Sequence, residues 1–252
     1  MSDAHDGRKG EIAGRLDAVR TRIAAACDAA GRASDEVTLI AVTKTYPVSD
    51  IQLLCELGAC DIGENRDQEA APKAAECAAL GVPVAWHFVG QLQTNKVASV
   101  TSYADVIHSV DRLRLVRALA QAARRRQRVI TALIQVSLEG RDGDPGRGGA
   151  PLREVTGLAE AIAGEANETN DTGDPTGGLR LGGVMAVAPL GVPAADAFAG
   201  LAACSAAVRA VRPAATMISA GMSGDLEEAV VAGATHLRIG TALLGDRRLP
   251  VM

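Results

Sequence analysis

The sequence predicts an α/β protein folded as a single (β/α)8 barrel, residues 1–252, with an extra helix at its N-terminus. Three observations carry this. Eight short apolar runs alternate with helical stretches along most of the chain, and strands alternating with helices imply parallel βαβ units. The length of 252 residues suits one domain, since barrels of roughly 250 residues fold as a unit. Hydrophobic residues make up 48% of the chain and aromatic residues 2%. The core must therefore be built from Ala, Val, Leu and Ile, the branched aliphatics that fill barrel interiors.

The elements follow in order. Ile12, Leu16, Val19, Ile23 and Cys27 recur at helical spacing and Gly31 stops the helix, while residues 1–9 read as disordered. Val37–Val42 reads as a buried strand. Ser49 with Gln52 forms a capping box for a helix ending at Gly58. The remaining strands are Cys60–Gly63, Ala85–Val89, Asp105–Ser109, Ile130–Val136, Leu181–Ala186, Thr216–Ser219 and His236–Ile239. Helices are expected over Asn65–Ala79, Thr94–Val100, Asp111–Arg126, Pro151–Gly164, Ala194–Val211 and Ser223–Ala232. Eight βα units point to a closed barrel of the TIM type. An open doubly wound sheet is the alternative, but no G-x-G-x-x-G follows the first strand and no G-x-x-x-x-G-K-[ST] occurs. Two segments break the rhythm: Gly140–Gly149 reads as a loop over the barrel mouth, and Glu165–Gly178 as a flexible polar insertion on the opposite side.

Composition narrows the function. Net charge is −4, and the one basic run, Arg124–Arg126 with Arg128, ends a predicted helix where cations favour the dipole. With few aromatics to stack bases, nucleic-acid binding is not expected. The five cysteines and four histidines are scattered, without metal-ligand spacing, and unpaired thiols fit a cytoplasmic protein. The polar N-terminus lacks a signal-peptide core, and no apolar run approaches the roughly 20 residues of a membrane span.

Lys44 ends the first, largely apolar strand. One reading is a lysine that snorkels out to solvent. The other is an amine nucleophile toward an aldehyde, because the C-terminal strand ends of a barrel form its active-site face. The last two strands favour the second. Strand seven runs into Ser219-Ala220-Gly221-Met222-Ser223-Gly224 and strand eight into Arg238-Ile239-Gly240-Thr241. Loops after strands seven and eight often hold phosphate in barrels, and small residues let backbone N–H groups reach an anion. Asp225, Glu227 and Glu228 oppose this, and their carboxylates must point away.

The segments AVTKTYP (41–47), IGENRDQE (62–69), WHFVGQLQTNK (86–96), LGGVMAVA (181–188), SAGMS (219–223) and RIGT (238–241) occur in the order found in the pyridoxal phosphate (PLP) homeostasis protein family. The chain resembles that family from about residue 10 to residue 247, and through it the barrel of fold-type III PLP enzymes such as alanine racemase. The resemblance implies a Schiff base between Lys44 and PLP. It further implies that Ser219, Gly221, Met222, Ser223, Gly240 and Thr241 surround the phosphate, and that Arg238 lies beside the ring near the pyridine nitrogen. Asn65, His87, Gln91 and Met185 match positions that line the pocket. His87 has a second reading as a structural histidine, and Asn65 as a helix N-cap.

A racemase generally needs a base on each face of the cofactor–substrate adduct. Lys44 supplies one; the tyrosines are Tyr46 and Tyr103, and the chain ends at Met252, just after the eighth unit. The expected function is therefore a monomeric PLP carrier that supplies apoenzymes, with a stand-alone amino-acid racemase, or a barrel enzyme for a different phosphate ligand, as alternatives.

Overall fold

The computed structural model describes residues 2–138, 148–165, 177–189 and 191–245. Helix α1 (Ser2–Ala29) comes first. The barrel strands are β1 (Thr38–Val42), β2 (Asp61–Glu64), β3 (Ala85–Phe88), β4 (Val106–Val110), β5 (Val129–Gln135), β6 (Gly178–Met185), β7 (Met217–Ser219) and β8 (His236–Ile239). They are parallel and close in sequence order, with β8 pairing back onto β1. Around them run α2 (Val48–Glu56), α3 (Asp67–Ala79), α4 (Val97–Tyr103), α5 (Leu113–Arg125), α6 (Val155–Gly164), α7 (Ala194–Val211), α8 (Leu226–Val231) and the short α9 (Thr241–Leu244).

Successive residues of a strand face opposite ways, and here the two faces differ in chemistry. Ile62, Trp86, Phe88, Ile107, Ala132, Leu181 and Leu237 belong to one apolar cluster with Leu54, Leu119, Ile162, Phe198 and Leu201 of the surrounding helices. Burying each large side chain of this shell stabilises the fold by roughly 1.5–3 kcal/mol. The barrel interior is different. His108 of β4 bonds Ser219 of β7, strands that are not neighbours, so that bond crosses the interior. Asp61, His87, Thr131, Arg180, His236 and Arg238 point the same way, as their contacts show: Arg180 donates to Thr131 Oγ1 at 2.6 Å and the rings of His87 and His236 lie 6.4 Å apart. The expectation of an aliphatic barrel interior holds only in part: Ile40 and Leu133 are fully buried there, but they share the interior with polar groups that pair with one another.

Several boundaries also differ. Helix α1 extends back to Ser2 instead of starting near Ile12, leaving no disordered stretch over its described residues. Arg8 ties it to Asp50 at 2.6 and 3.2 Å, and Lys9 to Glu56 at 2.6 Å. Helix α2 starts after Pro47, so Ser49 lies inside it and is not its cap. Helix α3 starts after Arg66 without a side-chain cap, so Asn65 is not a capping residue. Strand β6 begins at Gly178, three residues before the predicted start. Helix α7 is nearer to membrane-spanning length than the sequence reading allowed, at 18 residues with mean hydropathy 1.4. It lies against β6, β7, α6 and α8, burying Phe198, Leu201, Cys204 and Val208. The two irregular segments, 140–149 and 165–178, fall largely outside the described residues.

Candidate functional site

A cavity of about 470 Å³ opens at the C-terminal ends of the strands. That volume lies within the range of small-ligand pockets, about 300–1,000 Å³. Seven predicted residues line it: Lys44, Asn65, Met222, Ser223, Arg238, Gly240 and Thr241. They come from loops after four different strands. The cavity is also walled by Val42, Tyr46, Val89, Gly90 and Val187, which lie within the quoted motifs but were not assigned to the cofactor.

Lys44 is pinned from behind. Thr43 is fully buried and donates through Oγ1 to Glu64 Oε1 at 2.7 Å, while Lys73 Nζ donates to the Thr43 carbonyl at 2.9 Å. The same ammonium pairs with Glu64 at 2.7 Å and Glu69 at 2.6 Å. Glu69 also accepts the backbone N–H of Thr45. Burial pushes the Glu64 carboxyl up, against the pull of Lys73. Thr45 itself has φ 71°, a left-handed conformation that a β-branched residue avoids unless its surroundings impose it. The residues on both sides of Lys44 are thus fixed by one buried ionic network, and its amine is presented to the cavity.

Across the cavity stands Arg238, 6% exposed. It donates to Ser219 Oγ at 2.7 Å and to the Ala186 carbonyl at 2.9 Å. Both acceptors are neutral, and no carboxylate pairs with it among the described residues. Burial lowers its pKa to about 10, so it stays a cation at neutral pH. A desolvated cation lining a cavity is costly unless a ligand supplies an acceptor.

The loop after β7 supplies the polar side of the pocket. Ser223, Gly224, Gly240 and Thr241 line it, and Ser223 Oγ lies 3.4 Å from the backbone nitrogen of Ala242. Gly221 has φ 89°, and a Cβ there would sit 2.6 Å from Ala229 Cβ, so a side chain is excluded on two counts. Two of the acidic residues that follow are tied down by hydrogen bonds. Asp225 accepts the N–H of Met222 at 2.6 Å. Glu227 is held by Arg22 of α1 at 2.8 and 2.9 Å, and Arg22 also donates to the Ser223 carbonyl at 3.1 Å.

Five expected residues do not line the cavity. Ser219 is fully buried; its hydroxyl is engaged by Arg238 and His108 and faces away from a phosphate. Gly221 shapes the loop from below. Met185 is 2% exposed on β6. His87 is 3% exposed and lies deep in the interior, with Nδ1 2.9 Å from His108 and Nε2 3.0 Å from Asp61. The structural reading of this histidine is the one its position favours. Gln91 lines a neighbouring cavity of about 400 Å³ that shares Asn65 with the first. Sequence reasoning missed Arg22, Lys73 and His108; no local motif marks them, because each acts on the site through another residue.

Comparison with known proteins gives this arrangement its class. Residues 15–248 match the family described as the alanine racemase N-terminal domain, the class of barrel to which fold and pocket point. Full-length relatives narrow it. The pyridoxal phosphate homeostasis protein of Mycobacterium tuberculosis H37Rv is 42% identical, covering 98% of this chain and 96% of its own. That of Escherichia coli K12 is 36% identical, covering 94% and 97%. Among solved structures, PipY of Synechococcus elongatus PCC7942 with PLP bound is 32% identical with TM-score 0.72, over 93% of this chain and 100% of that one. Alanine racemase from Corynebacterium glutamicum, at 14% identity and TM-score 0.61, shares the fold and extends further, since the match covers 62% of it. The chain belongs to the pyridoxal phosphate homeostasis protein family.

Proposed function

We propose that this protein binds PLP at the barrel mouth and serves PLP homeostasis, holding the cofactor through Lys44 and passing it to PLP-dependent apoenzymes. The observation that carries the reading is the pairing, within one cavity, of a rigidly presented amine with a buried guanidinium that no carboxylate contacts among the described residues. The residues fit the cofactor. Lys44 Nζ is the nucleophile for its aldehyde carbon. Ser223 and Thr241, with the small residues Gly224 and Gly240 beside them, suit a phosphate. Arg238 would serve a pyridine nitrogen as a donor, and a guanidinium that keeps its proton would leave that nitrogen unprotonated. When bound, PLP supplies an electron sink, and an unprotonated ring weakens that sink.

Holding rather than catalysis is favoured by Tyr46. It is the tyrosine nearest Lys44 in sequence, and its hydroxyl donates to the Gly245 carbonyl at 2.6 Å instead of presenting its proton at the mouth. The five thiols are unbridged, which supports a reducing, cytoplasmic setting. The most exposed apolar residues, Leu80 after α3, Leu152 and Val231 of α8, belong to separate elements, which supports a monomer; light scattering at the dimer mass would refute that.

The test is the visible spectrum of the protein and of Lys44→Ala, each mixed with PLP and freed of excess. A band in the parent that is absent or displaced in the variant is expected. No band in either would remove the covalent reading. Lys44-dependent turnover of an amino acid at about 1 s⁻¹ or faster, the ordinary enzymatic range, would replace the carrier with a catalyst.

A further inference from the structure

Arg238 is the first member of a hydrogen-bonded chain that runs down the barrel interior. Its guanidinium donates to Ser219 Oγ at 2.7 Å. Ser219 Oγ lies 2.9 Å from His108 Nδ1. His108 Nε2 lies 2.9 Å from His87 Nδ1, and His87 Nε2 lies 3.0 Å from Asp61 Oδ1. The links come from β8, β7, β4, β3 and β2, so the chain crosses from the cofactor end to the N-terminal end of the strands, where the Asp61 carboxylate is 39% exposed.

Both ends are chemically one-sided. A guanidinium only donates, and an ionised carboxylate only accepts. With one proton on each imidazole, every link then has a fixed direction. Asp61 takes the His87 Nε2–H, which leaves His87 Nδ1 bare to accept the His108 Nε2–H. His108 Nδ1 is then bare and accepts the Ser219 hydroxyl proton, and the serine oxygen keeps a lone pair for Arg238. All four bonds point from the pocket toward Asp61. Bonds aligned head to tail polarise one another, more strongly in a low-dielectric interior.

We propose that Asp61, His87, His108 and Ser219 form a polarised relay that adds a remote counter-charge for Arg238 to the field of Asp225 and orients its guanidinium toward the ligand, with His87 and His108 as positioning residues in their Nε2–H tautomers. The proposal rests on the PLP reading only for the identity of that ligand. The surroundings agree with a singly protonated His108: burial, then His87, Arg238 and His236, all act to lower its pKa. The remaining group that faces His87 is His236 of β8. Its Nδ1 lies 2.8 Å from Thr235 Oγ1, outside the relay, and burial lowers its pKa to about 4.

The test has two parts. Long-range ¹H–¹⁵N correlation spectra of the full chain without PLP, at mildly alkaline pH, read the imidazole tautomers directly. Nε2–H on both His87 and His108 is expected; Nδ1–H on His108, or a doubly protonated ring at either position, overturns the relay. The second part is Asp61→Asn, which keeps the shape and removes the distant charge. The relay predicts PLP affinity weakened at least about fivefold, the lower end of ordinary site-to-site coupling, with the pH titration of the bound chromophore displaced and the melting temperature nearly unchanged. A purely structural role for the histidines predicts an unaltered affinity and titration, and that result overturns the proposal. Failure of the parent to bind PLP would sink the functional reading instead, and would leave the tautomer result standing on its own.

Discussion

The two faces of the barrel strands invite comparison. Trp86 and Phe88 on β3 join the apolar shell, while His87 between them joins the polar interior; Ile107 and His108 on β4 divide the same way, as do Leu237 and Arg238 on β8. A shift of one residue along any of these strands would exchange the two sets. Adjacent residues thus serve different ends: the shell provides stability by area burial, and the interior fixes charge and direction at the pocket floor.

If that division is real, truncation in the shell should cost the most stability and leave the cofactor alone. Phe198, 1% exposed on α7, is the sharpest case. Phe198→Ala should lower the unfolding free energy by about 3–5 kcal/mol in urea titration, with the visible band of PLP-loaded protein unmoved. A displaced band would show that the two layers are mechanically coupled.

A smaller effect belongs to the interior. Burial lowers the pKa of His236 to about 4 and that of His108 well below its ordinary value. Between about pH 6.5, the ordinary histidine value, and the lowered value, the unfolded chain binds protons that the folded chain refuses. Stability therefore falls as pH falls through this window, by at most about 1.4 kcal/mol per pH unit for each group. Glu64, pushed up by burial, opposes the trend. The measurement is accordingly the difference in Tm-against-pH slope between the parent and His236→Gln. The variant should be flatter, and equal slopes would mean that His236 accepts its proton without unfolding.

The smallest effect lies where α1 meets the pocket. Arg22 grips Ser223 and Glu227 at a half-exposed position. Arg22→Ala should change unfolding free energy by less than about 1 kcal/mol, as exposed ion pairs do, yet weaken PLP binding severalfold in a spectroscopic titration. Unchanged binding would show that the β7–α8 loop holds its own shape.

Much of this was legible in the sequence. Strand–helix alternation gave the eight strands nearly at their observed bounds, and helix α7 at its observed ends, because apolar periodicity is a local property. Six ordered motifs brought Lys44, Ser223, Arg238 and Thr241 to one cavity. What the sequence hid depends on pairing at a distance. The hydroxyl of Ser219 was expected at a phosphate, and nothing near it in sequence announces a histidine of β4 as its partner. His108 sits in a run, Val106–Val110, that reads only as a strand. Asn65 and Ser49 carry cap-forming side chains, yet tertiary contacts set both helix starts. Within residues 1–9, read as disordered, Arg8 and Lys9 are held by Asp50 and Glu56, some forty residues on.

The closure of β8 onto β1 has a consequence for the chain as it is made. Lys44 is synthesised well before Arg238, and the floor of the cavity between them is the seam of the barrel. The loop that carries Ser223, made long after α1, docks onto a helix that is already present. An unfinished chain therefore has the reactive lysine without the rest of the site, and gains a place for the cofactor only when the final strand has docked.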